Sequence, residues 1–164
     1  MSDALDDAME RLNEGDAEGA VEALRALATR EPLNADVHFQ LGRALTALGQ
    51  YGPATVAYKM ALRQAPTFLG AWVQLGLCQR ELGLLDDAIA SGEKALALVA
   101  DDPDATHLLG VAHAERGGAD DLLRAEAYLR GFLRGHGMAA EARVDAEILH
   151  QAIRQKLAAR RDSN

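Results

Sequence analysis

Apolar residues recur along this chain at three- and four-residue spacing, in short segments separated by glycine-centred turns. The clearest pair of segments lies in ADVHFQLGRALTALGQYGPATVAYKMALRQAPTF, from Ala35 to Phe68. Leu41, Leu45 and Leu48 mark one face of a helix over Val37–Leu48, and a second periodic segment covers Thr55–Gln64. Gly49 suits the left-handed residue that closes a helix, and Pro53 suits the first turn of the next. The pattern predicts a helical hairpin.

The hairpin repeats. Gly15, Gly49, Gly83 and Gly117 recur every 34 residues, and Ala20, Ala54 and Ala88 follow the first three at one distance. Ala125 follows Gly117 at eight residues instead of five, so the turn Gly117–Asp121 and its flank are expected to carry three extra residues. With that insertion Ala125, Leu129 and Phe132 face the core; without it Glu126 would. After Gly135-His136-Gly137 a long helix is expected from Met138 to Arg160, with Ala142, Ala146, Leu149, Ile153 and Leu157 as its buried stripe. The last residues, 161–164, are expected to form a disordered tail.

His38-x2-Leu41-Gly42-x2-Leu45, then Ala54-x3-Tyr58, then Pro66, resembles the tetratricopeptide repeat pattern and has its length. Trp72-x2-Leu75-Gly76 with Ala88 and Ala95, and Thr106-x2-Leu109-Gly110, repeat it. The resemblance covers about Asp3 to Gly137 and implies hairpins at 3–34, 35–68, 69–102 and 103–137, with 138–160 as a capping helix. It implies an all-α, right-handed superhelix in one continuous domain. The chain departs from the family at Ala4, Asp7, Ala8 and Arg11, where an aromatic residue, a leucine, a glycine and a tyrosine belong, so the first helix is expected to be partly exposed, or else frayed or packed elsewhere. Gly92 replaces a large residue and is expected to admit a neighbouring side chain. Asp86 or Asp87 is expected to cap the second helix of the third hairpin. Gly42, Gly76 and Gly110 are expected to let paired helices approach, with Leu41, Leu75 and Leu109 filling the seam.

Composition narrows the function. Apolar residues make up 49% but aromatics only 4%, so small aliphatic side chains carry the burial. A net charge of −8 argues against nucleic acid, whose phosphates demand a basic stripe. The first residues are acidic and amphipathic, unlike a secretory signal, and no window reaches the roughly 20 apolar residues of a membrane span. One cysteine, Cys78, permits no internal disulfide, and a cytoplasmic location is expected.

Candidate chemistry is sparse. His107 and His113 lie six apart, not the four that brings two imidazoles to one metal. His38 takes the place of Trp72 and is expected to pack in the core. His136 falls in a turn and His150 on the last helix. Cys78 aligns with Ala44 and Ala112, a place for a small buried residue. The acid pairs Asp6-Asp7, Asp86-Asp87, Asp101-Asp102 and Asp120-Asp121 read as helix-start or solvated charges. No catalytic residue, metal site or cofactor is expected, and the chain reads as a non-enzyme.

The resemblance also implies a concave groove lined by the first helix of each pair. Its candidates are Leu5, Met9 and Leu12; Phe39, Arg43 and Thr46; Val73, Leu77 and Arg80; and His107, Val111 and Ala114. Most are apolar, and a contiguous apolar patch marks an interaction site. The carboxylate clamp of some family members is absent, since its places hold Leu5, Met9, Gln40, Gly70 and Gln74. The expected function is a soluble adaptor, scaffold or chaperone-like module. Its expected partner is a peptide or amphipathic helix with apolar anchors and an acidic group. Self-assembly, the first helix of one copy entering the groove of another, is the alternative.

Overall fold

The computed structural model describes residues 3–135 and 140–162. The expected turn residues His136 and Gly137, and Met138 at the expected start of the last helix, lie outside the described residues. Among those described there is no strand, and nine helices occur: α1 Asp3–Asn13, α2 Ala17–Arg30, α3 Ala35–Ala47, α4 Tyr51–Gln64, α5 Leu69–Glu81, α6 Leu85–Leu98, α7 Pro103–Arg116, α8 Ala119–Arg134 and α9 Ala140–Asp162. The fold is all-α. It divides into two units, Met1–Gly83 with α1–α5 and Leu84–Asn164 with α6–α9. The boundary falls in the turn of the hairpin expected over 69–102.

In the first unit each helix packs on the next, and α3 also touches both α1 and α5. The turns are set by glycine. Gly15, Gly49, Gly83 and Gly117 all have φ between 68° and 90°, where a Cβ would be strained. Asp16 then accepts from the Gly19 N–H at 2.9 Å, and Asn34 accepts from Asp36 and Val37, which caps α2 and α3. In α1, Leu5 and Ala8 face inward while Asp7 and Arg11 face water, so the exposure expected of this helix is found on its charged side.

The core of the first unit runs from Leu5 through Leu24, Val37 and Tyr58 to Leu75 and Cys78. His38 and Trp72 do the same work in successive hairpins. The His38 Nε2–H donates to the Pro32 carbonyl at 2.9 Å, and the Trp72 Nε1–H donates to the Pro66 carbonyl at 2.8 Å. Each ring thereby satisfies its polar edge on the turn before it, which lets imidazole stand in for indole. Gly42 lies flat against the Tyr58 ring, closing the α3–α4 seam. Leu75 is buried in that core, and Leu41 is half-buried beside it. Tyr58 is fully buried, so its hydroxyl is pushed up to about 12, and it bonds the Thr46 hydroxyl at 3.2 Å.

In the second unit Gly92 admits Leu109 from α7, as expected, and Gly110 admits Leu129 from α8. Gly110 and Leu129 lie 19 residues apart where Gly42 and Tyr58 lie 16 apart, so the three extra residues are present. They do not lengthen the turn. Only Gly117 and Gly118 separate α7 from α8, and the insertion is absorbed as helix, adding Leu122 to the buried face of α8. Helix continues because a turn of α-helix adds internal hydrogen bonds that a longer loop would leave to water.

Two further details differ from expectation. Asp86 and Asp87 do not cap α6; Leu84 holds the capping place without a side-chain hydrogen bond, and both aspartates sit in the first turn, complementing the helix dipole. Arg161 and Asp162 belong to α9 and not to a tail. The α9 stripe is as read: Ala146 and Ile153 are buried, and Ala142, Leu149 and Leu157 pack with them on Leu122, Leu129 and Phe132. Arg143 donates to the Leu133 carbonyl at 3.3 Å, and His150 bonds Glu126 at 3.1 Å, tying α9 to α8.

Candidate functional site

Helices α1, α3 and α5 lie side by side in the first unit and present one face. Met9 and Leu12 from α1, Phe39 from α3, and Leu77 from α5 are half-buried there. Phe39 is seated on Phe68 with centroids 4.5 Å apart and on Tyr58 at 5.8 Å, leaving part of its ring open. Arg43 is exposed and donates to Gln40 at 2.9 Å. Arg80 is half-buried and contacts Glu81. The result is a face with apolar islands and two guanidinium groups.

Three expected groove residues sit differently. Leu5, at 3% exposure, and Val73, at 5%, belong to the interior. In α1, Asp7 and Arg11 are turned to water and Leu5 inward, on the side of buried Ala8. Thr46 is half-buried and engaged: its hydroxyl donates to the Gly42 carbonyl at 2.8 Å and contacts Tyr58 Oη and, at 3.3 Å, Cys78 Sγ. Cys78 is itself buried, and burial pushes its thiol up, away from the reactive thiolate. His107 and Val111 lie in the second unit, half-buried; the His107 ring rests on Phe132 at 4.8 Å, and Ala114 packs against the α8–α9 core.

One charged cluster was not legible as such. His113, 1% exposed, places Nδ1 2.9 Å from Asp121 Oδ1, while its buried Nε2 has no hydrogen-bond partner among the described residues. Arg116 bridges Asp121 at 2.5 Å and Asp86 at 2.6 Å, so α6, α7 and α8 are joined at one end. The sequence signal was a pair of acid doublets, Asp86-Asp87 and Asp120-Asp121, of which only the second is near Arg116 in the chain and both of which read equally well as solvated charge. The hydrogen bond from Arg116, then that from His113, holds the Asp121 carboxyl well below the usual carboxylate range. A depressed folded-state pKa gives stability that is present above the ordinary carboxylate value of about 4 and is lost as pH falls through the folded value. Acid titration of the second unit should therefore show a loss of stability below about pH 4, and Asp121→Asn should lower stability at pH 7 while flattening that acid limb. Parallel acid limbs in thermal melts of the two proteins would remove Asp121 from the account.

Among the described residues no group of three or more His, Cys, Asp or Glu side chains is placed to hold a metal ion, and no helix is long and apolar enough to cross a membrane.

Family models described as tetratricopeptide repeat match residues 11–75 and 56–105, which overlap across the α4–α5 junction. The chain belongs to the tetratricopeptide repeat family. Similar solved structures agree. A thermophilic TPR protein of Thermus thermophilus is 27% identical with a TM-score of 0.71, over 87% of this chain and 77% of that one. A double mutant of MamA RS-1 is 19% identical with a TM-score of 0.76, over 100% of this chain and 99% of that one. The first TPR of Spaghetti (RPAP3), bound to the HSP90 peptide SRMEEVD, is 16% identical with a TM-score of 0.68, over 70% of this chain and 91% of that one. No protein of curated function matches the sequence. Tetratricopeptide repeat proteins are generally non-catalytic scaffolds, and the fold supports a protein–protein interaction module.

Proposed function

We propose that this tetratricopeptide protein is a cytoplasmic adaptor that binds a peptide or short amphipathic helix on the face formed by α1, α3 and α5. It would be built of four hairpins, at 3–34, 35–68, 69–102 and 103–137, and capped by 138–160. The observation that carries the reading is the juxtaposition of Met9, Leu12, Phe39 and Leu77 with Arg43 and Arg80 on one set of adjacent helices. Such a face suits a ligand with large apolar anchors at helical or alternating spacing and at least one carboxylate. A tetratricopeptide relative of the same fold takes an acidic peptide, SRMEEVD. The mode here would differ, because Gln40 and Gln74 offer neutral amides where a clamp would place cations. Entry of α1 into the groove of a second copy is disfavoured, since Leu5 and Ala8 would have to leave their own core.

Peptide selection from a displayed library, followed by calorimetric titration of the enriched peptide, tests this. Enriched sequences should combine two or more large apolar residues with Asp or Glu. Arg43→Glu should weaken binding about tenfold at low salt and less at high salt, since exposed charges are screened. Phe39→Ala should weaken it as well, but Phe39 also supports the core through Phe68, so its melt must be measured alongside. No enrichment, or undiminished affinity of Arg43→Glu, would move the binding surface elsewhere.

A further inference from the structure

Helix α9 carries two seams. One is the buried stripe on α8. Half a turn round the helix, Val144, Ile148, Gln151, Gln155 and Ala158 recur at alternating spacings of four and three. That alternation is the seam spacing of paired helices. Val144 at 53% and Ile148 at 63% are the large aliphatic side chains of this seam, and both are exposed. A helix that covers a core with one face gains nothing from large aliphatic side chains on the opposite one. Glu147 and Arg154 flank this outer seam on the same side, one heptad apart.

The geometry points to a second copy of this chain as the occupant, docked through its own α9 in antiparallel register about a two-fold axis at the level of Leu149 and His150. In that register Glu147 of each copy meets Arg154 of the other, and Ile148 meets Gln151. Both pairings are reciprocal, as a two-fold interface requires. Parallel register would set Glu147 beside Ala152 and Arg154 beside Ala159, with no charge paired. Charge complementarity therefore selects both the occupant and its direction. Glu147 already contacts Arg143 at 3.2 Å, but an exposed pair of this kind is worth little and is readily exchanged. The 23 residues of α9 span about 35 Å, and one face of a helix about 10 Å wide offers less than the roughly 800 Å² per partner of a standard interface, so the dimer is weak and dependent on concentration.

Sedimentation of the full chain across a concentration series reads this out. The mass should rise from the 17.5 kDa of one chain toward twice that value. Ile148→Glu, at an exposed position, should leave the melting temperature unchanged and hold the protein monomeric throughout. Glu147→Arg should also give monomer, and adding Arg154→Glu should restore the dimer. Arg43→Glu, which tests the peptide face, should leave the mass unchanged, so failure of one proposal does not carry the other. A protein that stays monomeric at every concentration, a dimer indifferent to Ile148→Glu, or a charge swap that fails to restore association would overturn the assignment.

Discussion

Gly42→Leu should destabilise the first unit by about 3 kcal/mol or more, the upper end of what overpacking a closed seam costs. A Cβ on Gly42 would lie 2.5 Å from Tyr58 Cε1 and 2.7 Å from Cδ1, inside any contact that real side chains make. The ring has nowhere to go. It is fully buried, its hydroxyl is bonded to Thr46, and Phe39 lies 5.8 Å from its centroid. Gly52, on the next helix, has nothing within 4 Å of its would-be Cβ. Gly52→Ala should therefore be neutral or stabilising by up to about 1 kcal/mol, the ordinary helix-propensity gain. Urea unfolding followed on the first unit separates the two cases. The clash is also a coupling. Gly42→Ala should cost less in a Tyr58→Leu background than alone, which a double-mutant cycle measures. Equal midpoints for Gly42→Leu and the unchanged protein would show that α3 and α4 do not close on this glycine.

What the sequence made legible follows from which forces act locally. The turns were readable because Gly15, Gly49, Gly83 and Gly117 each meet a backbone demand that few other residues meet. The α9 stripe was readable because Ala146, Leu149 and Ile153 differ in polarity from their neighbours on the flanks. Side chains whose fate depends on helix rotation were not. Leu5 and Val73 sit at the same position in their repeats as half-exposed Phe39, yet both lie inside. The acidic doublets illustrate the same limit. Asp86 and Asp121 are joined only through Arg116 on a third helix, a connection that no linear spacing encodes. Val144 and Ile148 lie opposite the buried stripe of α9. Once one stripe accounts for a helix, periodicity offers no reason to look for a second.

Removing residues 138–164 should have the largest effect in the molecule, confined to the second unit. The cut uncovers Leu122, Leu129 and Phe132, all 5% exposed or less, together with half-buried Leu133. It also removes the hydrogen bonds from Arg143 to the Leu133 carbonyl and between His150 and Glu126. A hairpin whose outer apolar face meets water cannot offset the entropy of ordering it, which is why repeat arrays need a covering helix. A single truncation inside that contact sets the scale. Ile153, at 2% exposure, should cost about 2–5 kcal/mol as Ile153→Ala, already a large part of the roughly 5–15 kcal/mol that holds a typical domain. The deletion should therefore abolish cooperative melting of α6–α8 and expose a surface that aggregates. The core from Leu24 through Tyr58 to Leu75 is internal to the first unit and does not depend on α9. Hydrogen exchange distinguishes the two regions in one experiment: amides of α8 should lose protection while those of α3 and α4 keep it. Protection in α8 that survives the deletion would mean that Leu129 and Phe132 are covered without α9, and the helix would then serve only through its outer seam.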